Sequence, residues 1–271
     1  MRIESFERVV YENNPLAEVV CQVRFEPLGA LTESTLETLR QAFSSAGYSN
    51  IHEEISLSFA PQVAAEGNAP QVPIVLPQVR IHHFTTNDKY WRASVCSEFV
   101  ALTCLKYSNW GEFLERLTVI LQAAEAGITN ARPTRLGLRY KDVIERESLG
   151  LADVPWHELI APFLLGPITP NALAEGQVPL DADIGNFFSH SILRLESSML
   201  LLQSSLLTST DGQKRAFLID ADFYNEGDVP EDLMTNPDVL PKKLEALHAN
   251  AGALFRRGIT RRLHDALRPT K

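Results

Sequence analysis

No apolar run in the chain approaches the roughly 20 residues needed to span a bilayer, and the N-terminus, MRIESFERVVYENNP, has no hydrophobic signal core. Cysteine is scarce: Cys21, Cys96 and Cys104 are the only 3. They form no Cys-x-x-Cys pair, and each lies in an apolar run where a free thiol packs as a small hydrophobe. That excludes a disulfide framework and leads us to expect a reducing, cytoplasmic setting. Positive charge is short as well, since 25 Lys and Arg face 34 Asp and Glu for a net charge of −9. The field that drives non-specific nucleic-acid binding is missing. There is no G-x-S-x-G, no P-loop, no G-x-G-x-x-G and no His/Cys spacing suited to zinc. His82 and His83 are adjacent, which on a strand points them to opposite faces, and His248 and His264 are far apart on the last helix.

What the chain does have is a 45% hydrophobic composition over 271 residues, enough to hide roughly 70–75% of the unfolded surface, and a repeated order of elements. Alternation in PLAEVVCQVRFEP (15–27) puts Ala17, Val19, Cys21, Val23 and Phe25 on one face of a strand. Thr32 offers an N-cap to a helix striped by Leu36, Leu39 and Phe43, and Gly47 offers its stop. A strand at 53–60, a proline-bearing irregular connection at 61–78 and a hairpin turned at Asn87-Asp88 follow, with KYWRASVCSEFVALTCLK read as one strand segment. The helix from Trp110 to Gly127 closes the unit. The second unit repeats the order: ARPTRLGLRYKDVIE as a strand, DVPWHELIAPFLLG as a helix, SHSILRLESSMLLLQSSLLT as two strands, QKRAFLIDADFYNE as a third entered through the Asp211-Gly212 turn. One long helix from Leu240 ends it. The expected fold is α+β, a long antiparallel sheet backed by helices and made of two similar β-α-β-β-β-α halves, TBP-like or helix-grip-like, with units at 1–130 and 131–271 sharing one sheet.

The candidate chemistry lies in the second unit. Asp220 and Asp222, two apart on a strand, project to one face, where their carboxylates with Glu196 from the neighbouring strand are a candidate Mg²⁺ site. The alternative is that they pair with basic neighbours on a wet sheet face. Arg135 and Arg139 likewise share a face, with Gly137 between them leaving the backbone approachable. With Arg194 they are a candidate anion site, or else half of a cross-strand ion-pair network. The C-terminal stretch carries Arg256, Arg257, Arg261, Arg262, Arg268 and Lys271; Arg257 and Arg261 are its candidate partner-binding residues, and cations at a helix C-terminus are the ordinary alternative.

NPLAEVVCQVRF, RLGLRYKDVI and LIDADF, in that order, resemble segments of a sporadically distributed bacterial family of about this length with no established activity. In the family the middle motif continues with Asn, where this chain has Lys141-Asp142. The patchy distribution implies cargo of mobile elements, in a defence or toxin–antitoxin module.

The function expected from these observations is a non-enzymatic binding protein acting through a protein partner, a homodimer included, with no cofactor and no membrane. The alternatives are a metal-dependent enzyme or binder of a phosphorylated small molecule, and a nucleic-acid binder working through the basic C-terminal helix.

Overall fold

A computed structural model describes residues 1–57, 78–210, 212, 214–227, 229–236 and 238–270. Outside them lie the end of the strand expected at 53–60, the connection at 61–78 apart from Gln78, Asp211 of the expected turn and Lys271 of the basic terminus. In chain order the strands are β1 (Val10–Tyr11), β2 (Leu16–Phe25), β3 (Asn50–Leu57), β4 (Gln78–Thr85), β5 (Trp91–Val95), β6 (Phe99–Cys104), β7 (Pro133–Glu145), β8 (Phe188–Arg194), β9 (Met199–Thr208), β10 (Arg215–Glu226) and β11 (Pro269–Thr270). The helices are α1 (Glu33–Ser45), α2 (Trp110–Glu125), α3 (Pro162–Leu165), α4 (Val239–Gly258) and α5 (Arg261–Ala266).

Nine strands form one antiparallel sheet in the order β3-β4-β5-β6-β2-β7-β10-β9-β8. The strand that opens each expected unit lies at the centre: β2 pairs with β7, and the later strands of each unit run outward from them. Apolar alternation dictates which face is covered. Val19, Cys21, Val23 and Phe25 of β2, Leu136, Leu138, Tyr140 and Ile144 of β7, and Phe217, Ile219, Ala221 and Phe223 of β10 are all buried in the core beneath the helices. Thr32 Oγ1 caps α1 by accepting from the Thr35 N–H at 3.1 Å, and Asn109 Oδ1 caps α2 by accepting from the Glu112 N–H at 2.9 Å. A cap of this kind is worth about 1 kcal/mol. The paired β1 and β11 tie the start of the chain to its end. Among the described residues no helix is long and apolar enough to cross a membrane.

Four details differ from the expectations drawn from sequence. First, residues 89–106 are a hairpin, because the chain turns at Cys96–Glu98, where the Cys96 N–H donates to the Phe99 carbonyl at 3.0 Å. The first unit thus has four strands between its helices, β3 to β6, and the second has three. Second, 153–166 is not one helix: Pro155 and Pro162 divide it into short turns, of which α3 spans four residues. Third, the last helix breaks at Ile259-Thr260. Ile259 bridges Ile160, the Thr260 N–H donates to the Leu159 carbonyl at 2.9 Å, and the Thr260 side chain caps α5. Fourth, β2 has a register shift between Leu16 and Glu18, which sets Leu16 opposite Asp142, among the inward-facing positions.

Candidate functional site

The face of the sheet away from the helices carries the acids and arginines singled out in the sequence. Register places Asp220 opposite Lys141, Asp222 opposite Arg139 and Glu226 opposite Arg135. The ion pairs run diagonally along this lattice. Arg139 grips Asp220 with Nε on Oδ1 at 2.6 Å and Nη2 on Oδ2 at 2.5 Å. Arg135 reaches past Gly137 to donate to Asp222 Oδ2 at 2.6 Å, its guanidinium 4.2 Å from the centre of the Tyr224 ring. Gly137 is what allows this reach, since a Cβ there would stand 2.5 Å from Arg135 Nη1. The space it leaves is filled by the arginine next but one to it. Lys141 closes the row on Glu18 at 2.6 Å. The hydrogen-bonded Asp220 carboxylate holds the Arg139 guanidinium above its ordinary value.

Arg194 and Glu196 stand apart from this lattice. Arg194 ends β8 and is exposed, and among the described residues it makes no ion pair. Glu196 is on no strand. It sits in the turn between β8 and β9, where the Leu195 N–H donates to the Ser198 carbonyl at 2.9 Å and its own N–H donates to the carbonyl of Met1. The three proposed metal ligands are therefore not brought together, and among the described residues no group of three or more His, Cys, Asp or Glu is placed to hold a metal ion.

The basic C-terminus is likewise divided and engaged. Arg257, near the end of α4, holds Glu4 at 3.1 Å; Arg261, on α5, holds Asp265 at 2.9 Å. Arg262 pairs with Glu158, and Arg268 with Glu12 at 3.7 Å.

The helix-covered face holds a site that sequence motifs did not point to. A cavity of about 890 Å³ lies over the middle of the sheet. Its floor is Leu16 of β2 with Tyr140 and Asp142 of β7. The first turn of α2, the Glu245–Arg256 stretch of α4 and the N-terminal segment from Met1 to Tyr11 form its walls. Tyr140 Oη and His248 Nδ1 share a hydrogen bond at 2.7 Å, and the His248 ring stacks on Trp110 with centroids 4.1 Å apart. Tyr11 Oη is joined in the same way to His264 Nδ1 at 2.8 Å. Burial, with Arg8 nearby, pushes the His248 imidazole down to about 4, so it is neutral at physiological pH.

Asp142 is the one acid on the core face of β7. It is 8% exposed, between its cross-strand neighbours Leu16 and Ile219. Among the described residues no side chain or backbone group donates a hydrogen bond to its carboxyl, and no cation pairs with it. Burial, and then the like charge of Asp220 across the sheet, raise its pKa to about 7. A signal for it was present in the sequence: Asp142 is in phase with Leu136, Leu138, Tyr140 and Ile144, the apolar face of its own strand. Perturbed carboxyls in clefts concentrate at functional sites.

No family model matches the chain, and no curated protein matches it. The solved structure of the S. pombe Pct1 RNA triphosphatase in complex with the Spt5 CTD is similar at 8% identity and a TM-score of 0.14, over 97% of this chain and 88% of that one. A likeness that low carries no argument about fold or activity.

Proposed function

We propose that the protein is a small-molecule binding protein whose ligand occupies the cavity between the central strands and α4, anchored by Asp142. The observation that carries this reading is a carboxyl buried in the floor of an 890 Å³ cavity with no protein partner among the described residues. The carboxyl oxygens are not sealed in the core but open onto the cavity, within reach of a bound molecule. The volume falls in the range of ligand sites, roughly 300–1,000 Å³, which combine apolar and aromatic walls with a few polar groups. By contrast, the candidates Arg135, Arg139, Asp220 and Asp222 are engaged with one another, and Arg257 and Arg261 with acids of the same chain. The cavity supports ligand binding better than either surface supports a metal, a phosphate or a docking partner.

We further propose that the sheet is built from two related halves. In support, β2 and β7 begin the units, meet at the centre and are each flanked by the last strand of their own meander, β6 and β10.

The test of the binding reading is native mass spectrometry of the purified chain after incubation with a small-molecule extract of cells. The expected result is a mass adduct on the wild type that is lost in Asp142→Ala and in the cavity-filling Ala249→Phe, both verified as folded by circular dichroism. An adduct that survives both substitutions, or no adduct at all, would contradict it.

A further inference from the structure

The class of ligand depends on the cavity being a binding site, as proposed, and is narrowed by the chemistry around Asp142. The carboxyl is enclosed by Leu16 and Ile219 from the flanking strands and by Tyr140 and Ile144 two residues to either side, none of which is a cation. Another acid, Asp220, on the opposite face of the sheet, acts on it with like charge. His248 has its Nδ1 engaged by Tyr140 and its ring covered by Trp110, so it does not supply the missing positive charge. Three arginines, Arg2, Arg8 and Arg256, also line the cavity, and among the described residues none of them pairs with Asp142. Arg8 is bound by Glu245 at 2.9 Å, with both side chains more than half exposed, and the Arg256 guanidinium lies 5.6 Å from the centre of the Phe6 ring.

The floor of the cavity thus carries one carboxyl that no cation pairs with, and Tyr11, Tyr107, Trp110 and Tyr140 stand among the lining residues. Tyr11 is within electrostatic reach of Asp142, and Tyr107 meets Tyr140 edge-on at 6.5 Å between centroids. Aromatic faces attract cations, with an effect that grows on desolvation. A carboxylate or phosphate ligand would place a second negative charge against a carboxyl that already lacks a partner. A neutral ligand would leave Asp142 uncompensated whenever it ionises. A cation resolves both, provided its hydrogen bonds are made in the low-dielectric floor. Along α4, Ala249, Gly252 and Ala253 line the cavity with little side chain, which leaves width for a body behind the charged head.

We infer that the ligand is an organic cation, an ammonium head paired with Asp142 on an apolar or aromatic body that lies along Ala249–Ala253 of α4.

Three isosteric probes test this by isothermal titration on the full chain: phenethylamine, the neutral 2-phenylethanol and the anionic 3-phenylpropionate. The expected result is that phenethylamine binds at least about tenfold tighter than either isostere, and that Asp142→Asn removes that preference. Equal or tighter binding of the alcohol or the carboxylate, lost in Ala249→Phe, would overturn the ligand class and leave the cavity reading standing. So would a phenethylamine affinity unaffected by Asp142→Asn but abolished by Ala249→Phe. If none of the three binds, or if all bind equally to wild type and Ala249→Phe, the cavity reading fails with it. A thermal melt of each variant shows whether a lost affinity comes from a lost fold.

Discussion

On the outward face of β7, Arg135, Arg139 and Lys141 each hold a carboxylate at 2.6 Å or closer; on the inward face, Asp142 is buried next to Lys141 in sequence and has no partner among the described residues. One strand thus carries charge in two ways. The outward lattice is what cross-strand neighbours do on a partly wet face, where opposite charges meet and settle register. The inward carboxyl is what a fold acquires only at a cost, since an apolar residue at 142 would continue the alternation of Leu138, Tyr140 and Ile144. Charge that is prominent in a sequence is therefore a poor guide to an available site, and a single acid out of pattern is a better one.

Breaking the outward lattice should have a large destabilising effect. Arg139→Ala leaves Asp220, only 3% exposed, without its bidentate partner. We expect a loss of about 3 kcal/mol in urea-induced unfolding, with Arg139→Met/Asp220→Leu recovering a large part of it. If the single variant loses under about 1 kcal/mol, the lattice is not an obligate pairing.

The inward carboxyl should respond with the opposite sign. In the unfolded chain it ionises near 3.8, while in the fold it keeps its proton up to about 7. Between those values the native state binds more protons than the unfolded state. Stability contributed at this site is therefore full at low pH, falls by up to about 1.4 kcal/mol per pH unit across that window, and stays low above it. Asp142→Asn, which cannot ionise, should flatten that slope and be more stable than wild type at pH 8 by about 2–4 kcal/mol. Paired denaturation curves at pH 5 and pH 8 check this; a variant less stable than wild type at pH 8 would mean that Asp142 has a protein partner.

Smaller effects refine the contrast. Tyr140→Phe removes the hydrogen bond to His248 Nδ1 and should cost about 1 kcal/mol. Gly137→Ala pushes the Arg135 guanidinium off its path to Asp222 and should also cost about 1 kcal/mol, vanishing in an Arg135→Ala background. Arg257→Ala breaks an exposed pair with Glu4 and should change stability by less than about 0.5 kcal/mol.

Much of this fold is legible in the alternation of β2 from Val19 onward and of β10, whose inward residues are the ones found buried, and in the capping residue Thr32; Ala17, read as inward with them, is exposed because the register shifts between Leu16 and Glu18. The hairpin at Cys96–Glu98 was hidden because apolar residues flank the turn on both sides and Cys96 itself is buried. The break at Ile259-Thr260 was hidden because Leu254, Phe255 and Leu263 keep the helical spacing across it. What ends the helix there is a bridge to Ile160, far earlier in the chain. The lattice on the outward face could be anticipated as one of two readings, because residues two apart on a strand share a face. Which acid met which arginine could not, since register depends on pairing β7 with β10. The cavity was out of reach for a similar reason: its walls come from the first residues of the chain, the start of α2 and the middle of α4, segments that only the closed fold brings together.

Everything proposed for the cavity depends on Asp142 sitting in its floor without a protein partner. Carboxyl-detected NMR titration, assigned through the Asp142→Asn variant, measures this directly. We predict a midpoint near 7 for Asp142 in the ligand-free chain, and a midpoint near the ordinary carboxylate value of about 4 would contradict it.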